Sequence, residues 1–412
     1  MDCDALLELT SEVGYRLLES GAEIYRVEES IRRMLEAYGL PGAEVFAIPN
    51  CIIASVVTPE GKTLTRVRRM PSHGTDLDRL ETYNDMSRTI CRTTPEPEEF
   101  RRILAGAELG RKPYSMPVQL LAYFLGAAAF SLFFGGSWRD GLCAGACGVA
   151  IGLGLRFLTG LKANPFFRTF LCAALSALIA LGLTWVGIGQ SVDCITIGAL
   201  MALVPGVAIT NAMREIMGGD LVAGLSRTAD AVLTATAIAL GTGAVMSLAG
   251  TAAAAPETET VLALLPCVYA FFACLGFCPV FNIRSVTGMV ICCCGGALGW
   301  LVYLATAPFA QSAVIQSFFA AVTIAIYSEI VARIRKCPVT SYLLVALYPL
   351  VPGGGIYYTM AACIRGETQQ FLESLLHTFG IAGALAVGAV LVSSTVRLWS
   401  GKHTERKGPR CK

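Results

Sequence analysis

The chain has 412 residues, of which 54% are hydrophobic and 15% charged, and its formal net charge is +2. This balance is too apolar for an ordinary soluble globular protein. More than half of the charged residues lie in residues 1–112, and the remainder forms short clusters between long apolar stretches. The small net charge says little about partners, and no nucleic-acid partner is expected.

The start of the chain is acidic where a secretory signal peptide would be basic, so no cleavable signal is predicted. At least ten of the 16 cysteines lie inside apolar stretches, where a thiol behaves as a small hydrophobic group. No histidine or second thiol pair has the spacing of a tetrahedral metal site, so no metal or other cofactor is expected. A metal or redox site at Cys274 and Cys278, or at residues 292–294, is the alternative.

Residues 1–112 are predicted to form a small cytoplasmic α+β domain. Two amphipathic helices are predicted within residues 4–38, separated by Ser20-Gly21-Ala22-Glu23, which has the form of a capping box. A β-branched stretch over 44–57 and an alternating strand over 63–69 predict a hairpin. Two further helices complete the predicted domain, which contains no nucleophile–base pair or phosphate-binding loop.

Ten apolar stretches after Pro113 are each long enough to cross a membrane, because a span needs about 20 apolar residues. The predicted fold is therefore a polytopic α-helical membrane protein behind the N-terminal domain. The predicted spans lie near 115–136, 139–158, 165–189, 191–213, 219–250, 260–281, 285–306, 311–333, 338–362 and 368–398.

The distribution of basic residues predicts the orientation of these spans. With the N-terminal domain in the cytoplasm, the inside loops carry most of the lysines and arginines and residues 401–412 form a basic cytoplasmic tail. The only basic residues in the predicted outside loops are Arg139 and Arg365. We therefore expect a bacterial plasma (inner) membrane protein with both termini inside and an even number of spans.

The membrane part contains an internal repeat. Val204-Pro205-Gly206 recurs 147 residues later as Val351-Pro352-Gly353, and the same gap-free offset pairs many other residues. The predicted halves are residues 113–255 and 256–400, with five helices each. Because five is odd, the second half is predicted to lie inverted, as in alternating-access transporters.

A Pro-Gly pair inside an apolar span removes a backbone donor and frees carbonyl groups. Its recurrence predicts two discontinuous helices that face each other around a substrate site near the membrane midplane. The alternative is a pair of proline kinks that only aid packing. The candidate substrate-binding residues are Pro205, Gly206, Asn211, Pro352, Gly353 and Gly354.

Ionisable residues within apolar spans are the second indication of a transport site. Arg227 and Asp230 stand one turn apart and can pair, and the offset of 147 relates Asp230 to His377. These three residues are candidates for proton coupling, since histidine titrates near neutral pH. The alternative is that Arg227 and Asp230 form a structural ion pair and that the polar atoms of His377 have partners within the helix bundle.

Five further polar residues lie near predicted helix ends. They are candidates for gate or interface contacts. For Arg214 and Asp220, and similarly for Asn282, the alternative is a capped loop. For Glu329 and Arg333 the alternative is an ion pair at the membrane interface. These residues are Arg214, Asp220, Asn282, Glu329 and Arg333.

The sequence resembles the threonine/serine exporter family over nearly its whole length. In chain order, the resemblance rests on Ser20-Gly21-Ala22, Arg26-Val27-Glu28, Val204-Pro205-Gly206 with Arg214 and Asp220, Tyr327-Ser328-Glu329 with Arg333, Pro338, and Leu350-Val351-Pro352-Gly353. The resemblance implies export of small amino acids driven by the proton-motive force. Some relatives of that family are implicated in dicarboxylate (succinate) efflux.

The leading hypothesis is therefore a secondary exporter, an antiporter of threonine-like or serine-like amino acids, and not an enzyme. A dicarboxylate exporter and a membrane-embedded sensor or enzyme that uses the N-terminal domain are the alternatives. No ATP-binding motif of the Walker type is present. The expected partners are the lipid bilayer, a small-molecule substrate and protons, and homo-oligomerisation is left open.

Overall fold

The computed structural model describes residues 2–70, 74–109, 114–248, 264–335 and 337–405. The predicted boundary between the two membrane halves at 255/256 and most of the basic tail lie outside these residues. His73, in the predicted N-terminal domain, also lies outside them.

The N-terminal domain is α+β, as predicted. Its three strands form one antiparallel sheet in the order β1-β2-β3, with Glu44 opposite Ser55 and Cys51 opposite Arg69. Alternating burial along β1 and β2 turns one face of the sheet toward the helices. The elements are α1 (Cys3–Glu19), α2 (Ile24–Ala37), β1 (Glu44–Ile48), β2 (Cys51–Val57), β3 (Thr63–Arg69), α3 (Leu77–Thr93) and α4 (Pro97–Leu109).

The predicted capping box between α1 and α2 is wrong. Ser20 follows α1 as its C-terminal cap, where its hydroxyl donates to the Arg16 carbonyl at 2.7 Å. Glu23 precedes α2 without capping it, because its carboxylate is used by two arginine side chains instead. Gly21 has φ +93 and lies against the Gly74 backbone, so this connection requires glycine.

The described membrane part contains seven helices that are long and apolar enough to span a bilayer, against the ten spans predicted. The other three predicted spans correspond to the shorter α11 and to two interrupted helices. The elements are α5 (Met116–Phe133), α6 (Trp138–Gly160), α7 (Pro165–Trp185), α8 (Val192–Leu200), α9 (Gly206–Gly218), α10 (Leu221–Leu248), α11 (Leu265–Val280), α12 (Val286–Thr306), α13 (Ala313–Arg335), α14 (Thr340–Leu347), α15 (Gly353–Arg365) and α16 (Thr368–Glu405).

Both Pro-Gly pairs interrupt a helix. Helix α8 ends at Leu200 and α9 starts at Gly206, while α14 and a short 3₁₀ turn end at Leu350 and α15 starts at Gly353. Proline cannot donate to the helix ladder, so the helix restarts immediately after it. Helix α16, in contrast, contains no proline and continues to Glu405, beyond its predicted end near 398.

The offset of 147 also relates the starts of helices in the two halves. Helices α9 and α15 begin 147 residues apart, at Gly206 and Gly353, and so do α10 and α16, at Leu221 and Thr368. Helix α5 packs against α11 at the centre, and the interrupted helices pack crosswise, α9 against α16 and α15 against α10.

The N-terminal domain is docked on the membrane part. The Leu77 amide donates to the Phe281 carbonyl at 3.0 Å, and the Asn282 side chain donates to the Asp76 carboxylate at 3.0 Å. The hydrophobic core of the domain is continuous with membrane-part residues such as Tyr342. Helix α11 therefore ends, and α14 begins, at the side that carries this domain. Helix α9 ends there as well, since its Arg214 contacts Glu23 of the domain.

Candidate functional site

A cavity of 370 Å³ lies where the end of α9 meets the N-terminal domain. This volume is at the lower end of the range for small-molecule sites, about 300–1,000 Å³. Its wall combines polar and charged side chains with a few small residues of α16. The main polar lining residues are Glu23, Tyr25, Asn211, Arg214, Glu215, Asp220 and Arg227.

Two ion pairs are built into the wall of this cavity, hereafter the α9 pocket. Arg214 contacts Glu23 at 2.5 Å, and both side chains are 12% exposed. Arg227 contacts Glu215 at 3.0 Å, with side-chain exposures of 11% and 7%. Charges so far from solvent are stable only when paired, so each partner is needed by the other.

Glu23 joins the pocket to the N-terminal domain, because it also contacts Arg26 at 3.0 Å. Burial opposes the charge of Arg26, but Glu23 and Tyr25 raise its pKa above its ordinary value, so Arg26 stays cationic. Burial and the Glu23 charge raise the pKa of Tyr25, which keeps the phenol protonated.

Three buried polar atoms of α9 have no hydrogen-bond partner among the described residues, and one of them, Oε2 of Glu215, is held by its ion pair with Arg227. The other two are the amide oxygen Oδ1 of Asn211 and the guanidinium Nε of Arg214. Residues three apart on a helix are neighbours on one face, so an acceptor and a cationic donor stand side by side. An unmet buried polar group costs about 1–3 kcal/mol, which a bound ligand could recover.

The two helix breaks contact each other directly. A Cβ atom at Gly206 would overlap the Val351 side chain, and one at Gly353 would lie 2.8 Å from Met201 and 3.1 Å from Val204. These contacts are symmetric, since Val204 and Val351 are also 147 residues apart. Both glycines are therefore needed for the close approach of the two breaks.

An aromatic residue secures this contact. The Tyr348 hydroxyl donates to the Met201 carbonyl at 2.6 Å, which satisfies a backbone acceptor freed by the first break. The Tyr348 ring lies against Phe130 and Phe277, on the two central helices α5 and α11. The breaks are thus tied to the centre of the bundle.

The sequence-predicted residues are divided between several places. The α9 pocket brings together Asn211, Arg214, Asp220 and Arg227. Asp230 lies on the exposed surface of α10 and does not line the pocket.

The remaining predicted polar residues lie outside the pocket. His377 is exposed on α16, and Asn282 contacts the N-terminal domain. Glu329, with Arg333 3.8 Å away, lines a narrow cleft shared with Arg214.

Among the described residues, no group of three or more His, Cys, Asp or Glu side chains could hold a metal ion. Cys274, from the alternative metal site, is a buried thiol that donates to the Val345 carbonyl at 3.3 Å.

Sequence reasoning did not find Glu23 and Glu215, the two acidic partners in the pocket. Glu215 lies one residue after Arg214, and its partner Arg227 comes from the next helix, so only the packing of α10 on α9 pairs them. Glu23 precedes α2, and its position resembled a helix cap. Glu215 lies just beyond the predicted span 191–213, and its position beside Arg214 could have marked it as a further polar residue at that helix end.

Family models and a similar protein agree on one family for this chain. Two family models, both described as threonine/serine exporter, match residues 8–249 and residues 266–395. A protein of Corynebacterium glutamicum named threonine/serine exporter is 24% identical over 404 residues, which cover 94% of this chain and 81% of that protein.

Two other relatives carry different names. Pheromone-regulated membrane protein 10 of Kluyveromyces lactis is 26% identical over 82% of this chain, which spans only 36% of that protein. The probable succinate transporter subunit YjjP of Klebsiella aerogenes is 23% identical over 60% of this chain and 95% of that protein. No solved structure matches the chain.

Proposed function

The chain belongs to the threonine/serine exporter family, and we propose on that premise that it exports small zwitterionic amino acids by alternating access, with the α9 pocket as the substrate site. The observation that carries the proposal is the unpaired acceptor of Asn211 beside the unpaired donor of Arg214. An amino acid offers an ammonium group to the first and a carboxylate to the second.

The charge balance of the pocket favours an amino acid over a dicarboxylate. Two arginines face three carboxylates, namely those of Glu23, Glu215 and Asp220. A second substrate carboxylate would add negative charge to an already acidic wall, and like charges repel. Succinate export, suggested by the Klebsiella aerogenes relative, is therefore the second candidate.

The helix breaks provide the moving part of this proposal. Helix α9 starts at one break and ends at the pocket, so a shift of Gly206 against Val351 would be transmitted along α9 to Asn211 and Arg214. Helix α9 runs from its break toward the N-terminal domain, whereas α14 runs from that domain toward the second break. These opposite directions support two inverted repeats that exchange roles between the inward-open and outward-open states. We place the N-terminal domain on the cytoplasmic side of a bacterial plasma membrane.

Proton coupling is a separate part of the proposal. Asp230 and His377 are retained as coupling residues because the offset makes them equivalent. Glu215 joins them as a candidate, since it is buried beside Arg227 in the pocket itself. In Asp230→Asn or Glu215→Gln variants, transport should lose its response to a pH gradient while exchange at equal pH persists. An unchanged response in both variants would remove these two residues from the coupling.

Counterflow in proteoliposomes tests the function. Vesicles loaded with unlabelled threonine should accumulate labelled threonine and serine, and a pH gradient should change the rate. Accumulation of succinate in preference to both amino acids would establish the second candidate instead. No counterflow of any of the three would contradict the proposal as a whole.

A further inference from the structure

The N-terminal domain contains a second cavity, of 910 Å³, between α2 and α3. Its size is that of a site for a small organic ligand. It is lined by four arginines, Arg26, Arg33, Arg88 and Arg92, and by only two glutamates. This groove, hereafter the arginine groove, is separate from the α9 pocket, although Tyr25 lines both.

The arginines of the groove are not all neutralised by the protein. Arg33 contacts Glu29 at 2.6 Å, and Arg26 contacts Glu23. Within the described residues, Arg88 and Arg92 form neither ion pairs nor hydrogen bonds through their side chains. They stand four residues apart on α3, which places two free guanidinium groups on one helix face.

A buried polar atom also faces the groove without a partner. The side-chain nitrogen Nδ2 of Asn84 is buried and donates no hydrogen bond to the described residues. It lies one turn before Arg88 on the lining surface. An amide donor beside two guanidinium groups matches an oxyanion with several acceptor oxygens.

We propose that the arginine groove binds a phosphate-bearing anion, held by Arg88, Arg92 and Asn84, and that its occupancy regulates the exporter. A guanidinium group can donate two parallel hydrogen bonds to two oxygens of one phosphate, which strengthens binding and fixes the orientation of the phosphate. The ligand is either a soluble phosphate ester or a phospholipid headgroup, since both present the same chemistry.

Arg26 connects the groove to the α9 pocket. It lines the groove, and its carboxylate partner Glu23 is also the partner of Arg214. An anion near Arg26 competes with Glu23 for the guanidinium and changes the strength of the Glu23–Arg214 contact. This regulatory step rests on the proposed transport function, whereas binding in the groove does not.

Binding is measured on the purified full-length protein. Pyrophosphate and ATP are titrated in neutral detergent, and nanodiscs with and without phosphatidylglycerol provide the lipid arm, with thermal unfolding as the readout. Arg88→Gln/Arg92→Gln should weaken binding about a hundredfold, or about tenfold for each arginine. Arg101→Gln/Arg102→Gln, with the same charge change on α4 outside the groove, should bind like the wild type.

Stabilisation by ATP or pyrophosphate alone identifies a soluble ligand, and stabilisation by phosphatidylglycerol alone identifies a lipid. No stabilisation by any of the probes, or equal loss in both double variants, would overturn the site. Counterflow with and without the effective probe then tests regulation: an unchanged rate with intact binding overturns that step only. If threonine counterflow is absent throughout, the proposed function has failed while the binding result still stands.

Discussion

At the scale of single residues, the decisive groups are charged side chains that the fold removes from water. Arg227 was recognised in the sequence because an arginine within an apolar span is costly, and Arg214 because it lies at the end of a predicted span. Their partners were not recognised, because Glu23 and Glu215 are brought to them by tertiary packing. A single chain sequence indicates that a buried charge needs a partner, but it does not indicate which carboxylate supplies it.

The Glu23–Arg214 contact should stabilise the folded protein. In Arg214→Gln, Glu23 keeps Arg26 but loses a buried charged contact, so the free energy of unfolding should fall by about 1.5–3 kcal/mol. Denaturant unfolding in detergent measures this change. Arg66→Gln is the control, because its pair with Asp4 is exposed and should contribute at most about 1 kcal/mol. Equal losses in the two variants would contradict the importance of burial.

At the scale of elements, the two broken helices were predicted from Pro-Gly in apolar spans, and the structure interrupts both helices at these pairs. Their mutual contact through glycine and valine was not predictable, since it depends on how the halves cross. Two of the ten predicted spans are interrupted, which composition could not reveal, because an interrupted helix has the composition of a continuous one. The length of an apolar stretch predicts that a segment enters the membrane. Whether the helix is continuous depends on its backbone hydrogen bonds, which a proline interrupts.

The contact between the breaks predicts a coupled pair of substitutions. Gly206→Ala should destabilise the protein by about 1–3 kcal/mol through overlap with Val351 and should slow counterflow. Adding Val351→Ala should restore much of both losses, because it removes the overlapping atoms. Gly243→Ala is the control, since a Cβ there would meet no atom within 4 Å. If Gly206→Ala behaves like this control, the breaks do not need their close approach.

The Tyr348 hydroxyl predicts a second effect at the break. Tyr348→Phe leaves the buried Met201 carbonyl without its donor, so the unfolding free energy should fall by about 1–3 kcal/mol. The Tyr303 hydroxyl has no partner among the described residues, and Tyr303→Phe should be nearly neutral. Thermal unfolding of both variants in the same detergent makes the comparison. A loss no greater for Tyr348→Phe than for Tyr303→Phe would contradict a role for this hydrogen bond.

At the scale of the whole molecule, the offset of 147 predicts more than a similarity of sequence. It predicts inverted halves, with the ends of α9 and α15 on opposite sides of the membrane. The α+β domain could be predicted from composition and periodicity, since residues 1–112 carry most of the charge. Its docking on α9, α11 and α14 could not, because the contacts involve residues such as Leu77 and Phe281 that are far apart in sequence.

Labelling from outside the cell tests the inversion. The chain has seven lysines, and Met217→Lys at the end of α9 and Arg365→Lys at the end of α15 each introduce one new amine target in a peptide of its own. An impermeant amine reagent should modify Arg365→Lys in intact cells, and Met217→Lys only after lysis. Peptide mass spectrometry reads both sites, and the native Lys62 reports cell integrity. Labelling of both introduced lysines from the same side would contradict the inverted arrangement.

The central claim is that the α9 pocket holds a zwitterionic amino acid, and equilibrium binding of labelled threonine to the purified protein tests it most directly. Asn211→Leu removes the proposed ammonium acceptor while leaving both pocket ion pairs in place. We predict that serine but not succinate displaces threonine, and that Asn211→Leu weakens threonine binding at least about tenfold, the loss of one charged hydrogen bond. Displacement by succinate, or unchanged affinity in Asn211→Leu, would contradict it.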